Sequence, residues 1–165
     1  MTDLHVHAFN SPFETGIRAL ILLVSSFPRE HDLSRLVQYD YLAVHSEDAG
    51  GPPSLHPPLP LRSNELLVRR GLVERGLLLM ASAGLVRRFP RETGIVFTAN
   101  DESGSFVSNL HSDYLEGVKN RANWVVETFD SLSGSELDRV IKGLFEAWTT
   151  EFQPIETAIQ GELQI

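Results

Sequence analysis

Five of the chain's nine prolines fall within nine residues, in the run Gly50-Gly51-Pro52-Pro53-Ser54-Leu55-His56-Pro57-Pro58-Leu59-Pro60. Each proline fixes φ and removes a backbone donor, so this stretch is neither a helix interior nor a central strand. Any fold must therefore route a stiff, extended loop, residues 47–60, between the elements on either side of it. Such a loop serves either as a connector between two helices or as a groove or ligand for a partner, with Pro52, Pro53 and His56 as its candidate contacts.

The residues before the loop carry helix signals. Ser11-Pro12-Phe13-Glu14 places Ser at the N-cap, Pro at the first helical position and Glu at N3, a capping box. Phe13, Ile17, Leu20, Ile21 and Val24 then recur on one helical face, and Phe27-Pro28 closes the element. Asp32 suits the cap of a second helix striped by Leu33, Leu36, Val37, Tyr41 and Val44. Asp40 falls on that stripe, and its expected place is the edge of the buried face, because unpaired buried carboxylates are rare.

After the loop, a long helix runs from a Ser63 cap to about Ser82, and Gly84 suits its C′ position. Two β-rich runs, Ala83-Gly84-Leu85-Val86-Arg87-Arg88-Phe89 and Ile95-Val96-Phe97-Thr98, join through Gly94 as a hairpin. Three helices and then a hairpin is the order of a winged helix-turn-helix. The expected fold is mainly α with a small β-hairpin: a winged-helix-like domain over residues 1–100 that includes the Pro-rich loop, and a C-terminal helical extension over 101–165 packed on it. In that extension Leu115, Val118, Ala122, Val125, Val126 and Phe129 share one helical face. Ser133 and Glu136 form a second capping box, followed by a stripe of Leu137, Val140, Ile141, Leu144, Phe145, Trp148 and Phe152 that either completes the core or binds a partner.

Composition excludes several functions. With no cysteine, the chain has no disulfide, thiolate metal site or cysteine nucleophile. The pair His5-Val6-His7 resembles that of metal hydrolases, which need further ligands from barrel strands, and a helical chain of 165 residues supplies none. His45, Asp48 and His56 cluster around the Pro-rich loop, where turn chemistry explains them equally well. Glycine-rich phosphate loops and a Gly-x-Ser-x-Gly elbow are missing, and Ser103-Gly104-Ser105 reads as a turn. No catalytic residue, cofactor or metal is expected. Met1–Asn10 lacks the basic and apolar parts of a signal peptide, and Ala19–Val24 is too short for a span of ~20 residues, so the expected location is the cytoplasm, away from membranes.

The net charge of −8, from 14 Lys and Arg against 22 Asp and Glu, opposes nonspecific nucleic-acid binding. Yet the stretch from Arg62 to Arg91 holds seven arginines against Glu65 and Glu74, an asymmetry that marks an interaction surface. Within it, Arg87, Arg88 and Arg91 lie on or near the hairpin, placed to contact phosphates or an acidic protein partner. The long helix differs from a recognition helix. Leu66, Val73, Leu77 and Met80 make one stripe, Val68, Leu72 and Leu79 another, and Leu67 and Leu78 a third, while Arg69, Arg70 and Arg75 point three ways. A helix apolar nearly all round is expected to meet protein on more than its own core, which makes Leu67, Val68, Leu72, Leu78 and Leu79 candidate partner contacts.

Several of these segments together resemble one family. They are Phe13-Glu14-Thr15-Gly16 with Arg18-Ala19-Leu20, Asp40-Tyr41-Leu42, His45-Ser46 with Asp48, Gly50-Gly51-Pro52-Pro53-Ser54-Leu55-His56-Pro57, Glu65-Leu66-Leu67-Val68-Arg69-Arg70, Gly84-Leu85-Val86 and Arg121-Ala122-Asn123-Trp124. The chain resembles, over about residues 12–130, the middle component of bacterial ABC-three-component systems, the group that includes Lamassu-type antiphage defence. The resemblance implies a non-catalytic subunit that bridges an SMC-like ABC ATPase and an effector, often a nuclease, with DNA contact inside the complex as an option. Read without the resemblance, the same order of elements admits a free-standing winged-helix DNA-binding regulator that uses the arginines of the hairpin.

Overall fold

The computed structural model describes residues 11–58 and 62–147. Expectations for His5 and His7, for Leu59 and Pro60 at the end of the Pro-rich run, for the side chain of Ser63, and for Trp148 and Phe152 lie outside the described residues. The chain divides into two units, Met1–Ser131 and Leu132–Ile165.

The first unit is mainly helical with a small antiparallel sheet of three strands. Helix α1, Pro12–Ser25, starts as its sequence dictates: Ser11 Oγ accepts from Glu14 N at 3.2 Å and Pro12 takes the first turn. Its burial exceeds a single stripe. Every residue from Thr15 to Leu23 is buried, so α1 is the central element, against which the other α-helices of the unit pack. Phe13 departs from the expected stripe and is exposed, because it stands on the first turn.

A two-residue strand β1, His31–Asp32, leads into α2, Leu33–Val44, whose cap forms where Asp32 Oδ1 accepts from Arg35 N at 2.8 Å. A single 3-10 turn over Ser46–Ala49 then opens the loop. Helix α3, Arg62–Ser82, ends as a Schellman motif: Leu85 N donates to Met80 O at 2.9 Å and Gly84 N to Ala81 O at 3.0 Å, with Gly84 at φ 76°. Strands β2, Val86–Arg91, and β3, Gly94–Ala99, form the hairpin, paired from Val86↔Ala99 to Arg91↔Gly94. The sheet order is β1-β3-β2, with His31 opposite Phe97 and Asp32 opposite Val96. The third strand was beyond sequence patterning, since two residues carry no periodicity.

Two further helices complete the unit. In α4, Ser103–Ser108, the Ser103-Gly104-Ser105 segment is helical rather than a free turn. Its start is tied by Asn100, whose Oδ1 accepts from Glu102 N at 3.0 Å and Ser103 N at 3.1 Å. Helix α5, Asp113–Phe129, is capped by Ser112 and buries Val118, Ala122, Val125 and Phe129, the spacing of one helical face. It packs on α1 and α2. In the second unit residues 134–147 form a helix, α6, and Glu136 N donates to Ser133 Oγ at 3.2 Å as the capping signal requires. Among the described residues no helix is long and apolar enough to cross a membrane.

Candidate interaction site

Two groups of residues stand out: a buried charge network that anchors α3 from behind, and the outer face of α3 itself. The network starts with a contradiction in the sequence, since Arg18 lies amid the apolar run of α1 and Asp40 on the apolar stripe of α2. Both are fully buried, and each explains the other. Asp40 is not at the edge of its helix's buried face; it sits inside, paired. Its Oδ1 accepts from Arg18 Nε at 2.7 Å and its Oδ2 from Arg18 Nη2 at 3.1 Å, a bidentate fork. Arg69 of α3 donates to the same Oδ2 and, through Nη2, to Glu65 one turn earlier. Glu65 Oε1 in turn lies 3.0 Å from His45 Nε2. Two guanidinium groups thus face two carboxylates, which is how charge becomes tolerable in a core.

The electrostatics follow from this pairing. Burial alone would raise the pKa of Asp40, but Arg18 and then Arg69 more than reverse it and hold the carboxyl well below the usual range. Burial likewise opposes the charge on Arg18, and Asp40 overrides it upward. Glu65 is lowered because its bonds to His45 and Arg69 outweigh its burial.

The Pro-rich loop is strapped to the same unit. Ser46 Oγ donates to Pro52 O at 2.8 Å, and Leu55 N and His56 N both donate to Val44 O, at 2.9 and 3.1 Å. Arg121 of α5 donates to Pro53 O from Nε at 3.1 Å and Nη2 at 2.7 Å. Gly51 lies so close to the Trp124 ring that a Cβ would overlap it, and Leu55 Cδ2 stands 2.9 Å from where a Cβ on Gly117 would be. The Gly-Gly-Pro-Pro-Ser-Leu-His-Pro and Arg-Ala-Asn-Trp segments, 70 residues apart at Gly51 and Arg121, therefore pack on each other.

His56, half-buried, joins the loop to the network. Its Nε2 lies 2.7 Å from Tyr114 Oη, with the two rings stacked at 15°, and Tyr114 Oη also accepts from Arg18 Nη1 at 3.4 Å. Burial, then the positive field of Arg18 and Arg69, pulls the His56 pKa down to about 4. A neutral ring that accepts the tyrosine proton at Nε2 fits this arrangement. His45, Asp48 and His56 do converge on one region, with the His45 and His56 rings 6.2 Å apart, but Asp48 accepts from Tyr41 Oη at 2.6 Å. Among the described residues no group of three or more His, Cys, Asp or Glu is arranged to hold a metal ion.

Helix α3 buries one side within the chain: Arg69, Val73, Gly76, Leu77 and Met80 face inward. The opposite side is exposed. Leu67 is 75% exposed, Val68 67%, Leu78 43% and Leu79 44%, with Leu72 half-buried at the margin. Phe13, also exposed, follows Pro12, whose carbonyl oxygen faces Gly76 of α3. The three arginines point three ways, as their spacing requires: Arg69 into the core, Arg70 to Ser34 Oγ at 3.1 Å, and Arg75 outward.

On the loop, Pro53 is exposed and Pro52 half-buried. On the hairpin, Arg87, Arg88 and Arg91 are all exposed. Arg87 and Arg91 each lie over the Phe89 ring, at 5.1 and 5.3 Å from its centroid, and Arg91 Nε donates to Glu30 Oε2 at 3.0 Å. Neither Arg18, Glu65 and Tyr114 as network members nor Arg121 and Trp124 as the seat of the loop stood out from the sequence. A usable signal was present for Arg18 and Asp40: opposite charges on two apolar helix faces are an ion pair in waiting.

The charged groups at the centre of this domain pair with one another, while its longest helix exposes Leu67, Val68, Leu78 and Leu79. The chain matches the family ABC-three component (ABC-3C) system Middle Component 2 over residues 8–151, and it belongs to that family. No curated protein and no solved structure matches it.

Proposed function

We propose that the chain is a non-catalytic adaptor that bridges an SMC-like ABC ATPase and an effector subunit, often a nuclease, in a cytoplasmic antiphage complex of the Lamassu type. The observation that carries this reading is the outer face of α3, where four large apolar side chains lie open to solvent on one helix. Large apolar side chains exposed in clusters of that kind are a mark of protein–protein contact. Family membership supports it, since a middle component belongs to a multi-component system.

The order α1-β1-α2-α3-β2-β3, with β3 central in the sheet, supports reading the elements up to residue 100 as winged-helix-like. In a DNA reader of that class the third helix turns a polar side to base edges. Here that side presents Leu67, Val68, Leu78 and Leu79 around Arg75, which suits a protein surface better than base edges. A regulator that binds DNA through Arg87, Arg88 and Arg91 is the second reading, supported by their common exposure on β2. It is weakened by the pairing of Arg91 with Glu30, which already occupies one of the three cations.

Co-expression with the ATPase and effector components of the same system, followed by size-exclusion chromatography with light scattering, tests the proposal. A stable complex with the ATPase and weak duplex binding by the chain alone are expected. A solitary species that binds duplex DNA in a salt-sensitive manner, and loses it when Arg87, Arg88 and Arg91 become Glu, would promote the regulator instead.

A further inference from the structure

The geometry of α3 points to the chemistry of what docks there: we propose that its outer face receives an amphipathic helix of a partner protein, one that carries a carboxylate between two apolar clusters. This rests on the adaptor reading and gives its docking partner a chemical description. Leu67 and Leu78 are 11 residues apart, as are Val68 and Leu79. At ~100° and ~1.5 Å per residue they form two rows nearly parallel to the helix axis, with roughly 16 Å between their ends. The middle of the face is different. Gly71 and Arg75 occupy it, and Arg75 Nε donates to Gly71 O at 3.2 Å. Arg75 Nη2 lies 3.8 Å from where a Cβ on Gly71 would stand, so the guanidinium lies flat along its own helix. The surface therefore reads apolar, cationic, apolar along three turns.

A helix laid against it needs apolar residues at both ends and an Asp or Glu between them. The guanidinium fork takes a carboxylate through two parallel bonds, and exclusion of water on docking strengthens that pair. A second copy of this chain fits less well. Antiparallel pairing of two α3 helices about the level of Val73 would set Leu67 near Leu78 of the second copy and Val68 near its Leu79, matching the apolar ends. It would also bring two Arg75 groups within about 6 Å along the axis, desolvated and without a carboxylate between them. Glu74 lies ~100° round the helix from Arg75, on the rim of the face. Charge complementarity thus selects an acidic-centred partner over self-association.

The test uses the full chain with the ATPase and the effector components of its own system, offered separately, and measures Kd by biolayer interferometry. Variants Arg75→Glu, Arg75→Lys and Leu67→Lys all change exposed side chains, so circular dichroism and thermal melts should match the parent. The expected result is about a tenfold or greater loss of affinity for one component with Arg75→Glu, partial retention with Arg75→Lys, and loss with Leu67→Lys. Unchanged binding by Arg75→Glu alongside loss by Leu67→Lys would overturn the carboxylate while leaving the adaptor role standing. A dimer of the chain alone that Leu67→Lys breaks would overturn the choice of partner. Failure of the parent chain to bind either component would sink the adaptor reading and this inference with it.

Discussion

Gly16 of α1 and Gly76 of α3 meet backbone to backbone: a Cβ on Gly16 would stand 2.6 Å from Gly76 O, and one on Gly76 would stand 2.7 Å from Pro12 O. The two most extensively packed helices of the domain cross at this point with no side chain between them. The crossing also sets which side of α3 faces out, and hence where the apolar rows and Arg75 lie.

Gly76→Ala is therefore expected to destabilise, even though alanine is the better helix former. The contacting atoms are backbone and cannot move aside, so the loss should be about 1–3 kcal/mol, measured as a lower urea midpoint at unchanged m-value. Gly71→Ala on the same helix is the control. Only the Arg75 side chain lies near, at 3.8 Å, so the helix-propensity gain of roughly 0.5–1 kcal/mol should appear with the opposite sign.

Asp40→Asn leaves Arg18 and Arg69 buried against a neutral amide. The expected cost is about 3–5 kcal/mol in urea unfolding, the range for breaking one side of a buried ion pair. Replacing Arg18, Asp40, Arg69 and Glu65 together with apolar residues should recover much of that loss. Equal destabilisation by the single and quadruple replacements would show that packing, rather than uncompensated charge, dominates.

Acid should weaken the fold before its carboxylates titrate. His56 is depressed from 6.5 to about 4, and His31 is lowered too, chiefly by burial. The unfolded chain therefore binds more protons than the folded one between these values, and stability falls as pH drops from 6.5 toward 4. At about 1.4 kcal/mol per pKa unit, and discounting for the solvent that reaches His56, the loss from this residue should be about 1–2 kcal/mol. His56→Gln keeps an acceptor for Tyr114 and should flatten that acid limb. A limb of unchanged slope would mean that the ring is not held neutral.

Trp124→Ala removes the surface on which Gly51 rests. We expect faster hydrogen exchange at the amides of Leu55 and His56, which bond to Val44 O, with α1 amides unaffected. Uniform acceleration across the domain would instead mean that the loop and the core unfold as one.

Much of the local architecture could be read from the residues alone. Ser11, Asp32 and Ser133 cap helices, Gly84 ends one, and Gly94 begins the second strand of the hairpin, because each of these depends on backbone groups a few residues away. The stripe of α5 was equally legible, since a period of 3.6 is a property of one helix. What lies between elements was not. That β1 joins the sheet, that Arg18 and Asp40 are partners across 22 residues, and that the Pro-rich loop seats on Trp124 are all decided by which surfaces meet. The long helix shows the division most clearly. Its sequence makes it apolar on nearly every side, whereas only the close crossing at Gly16 and Gly76 and the pull of Asp40 on Arg69 decide which side is core. Local hydrogen bonding is encoded within a few residues; the choice of buried face is a property of packing, and exists only once the helices have met.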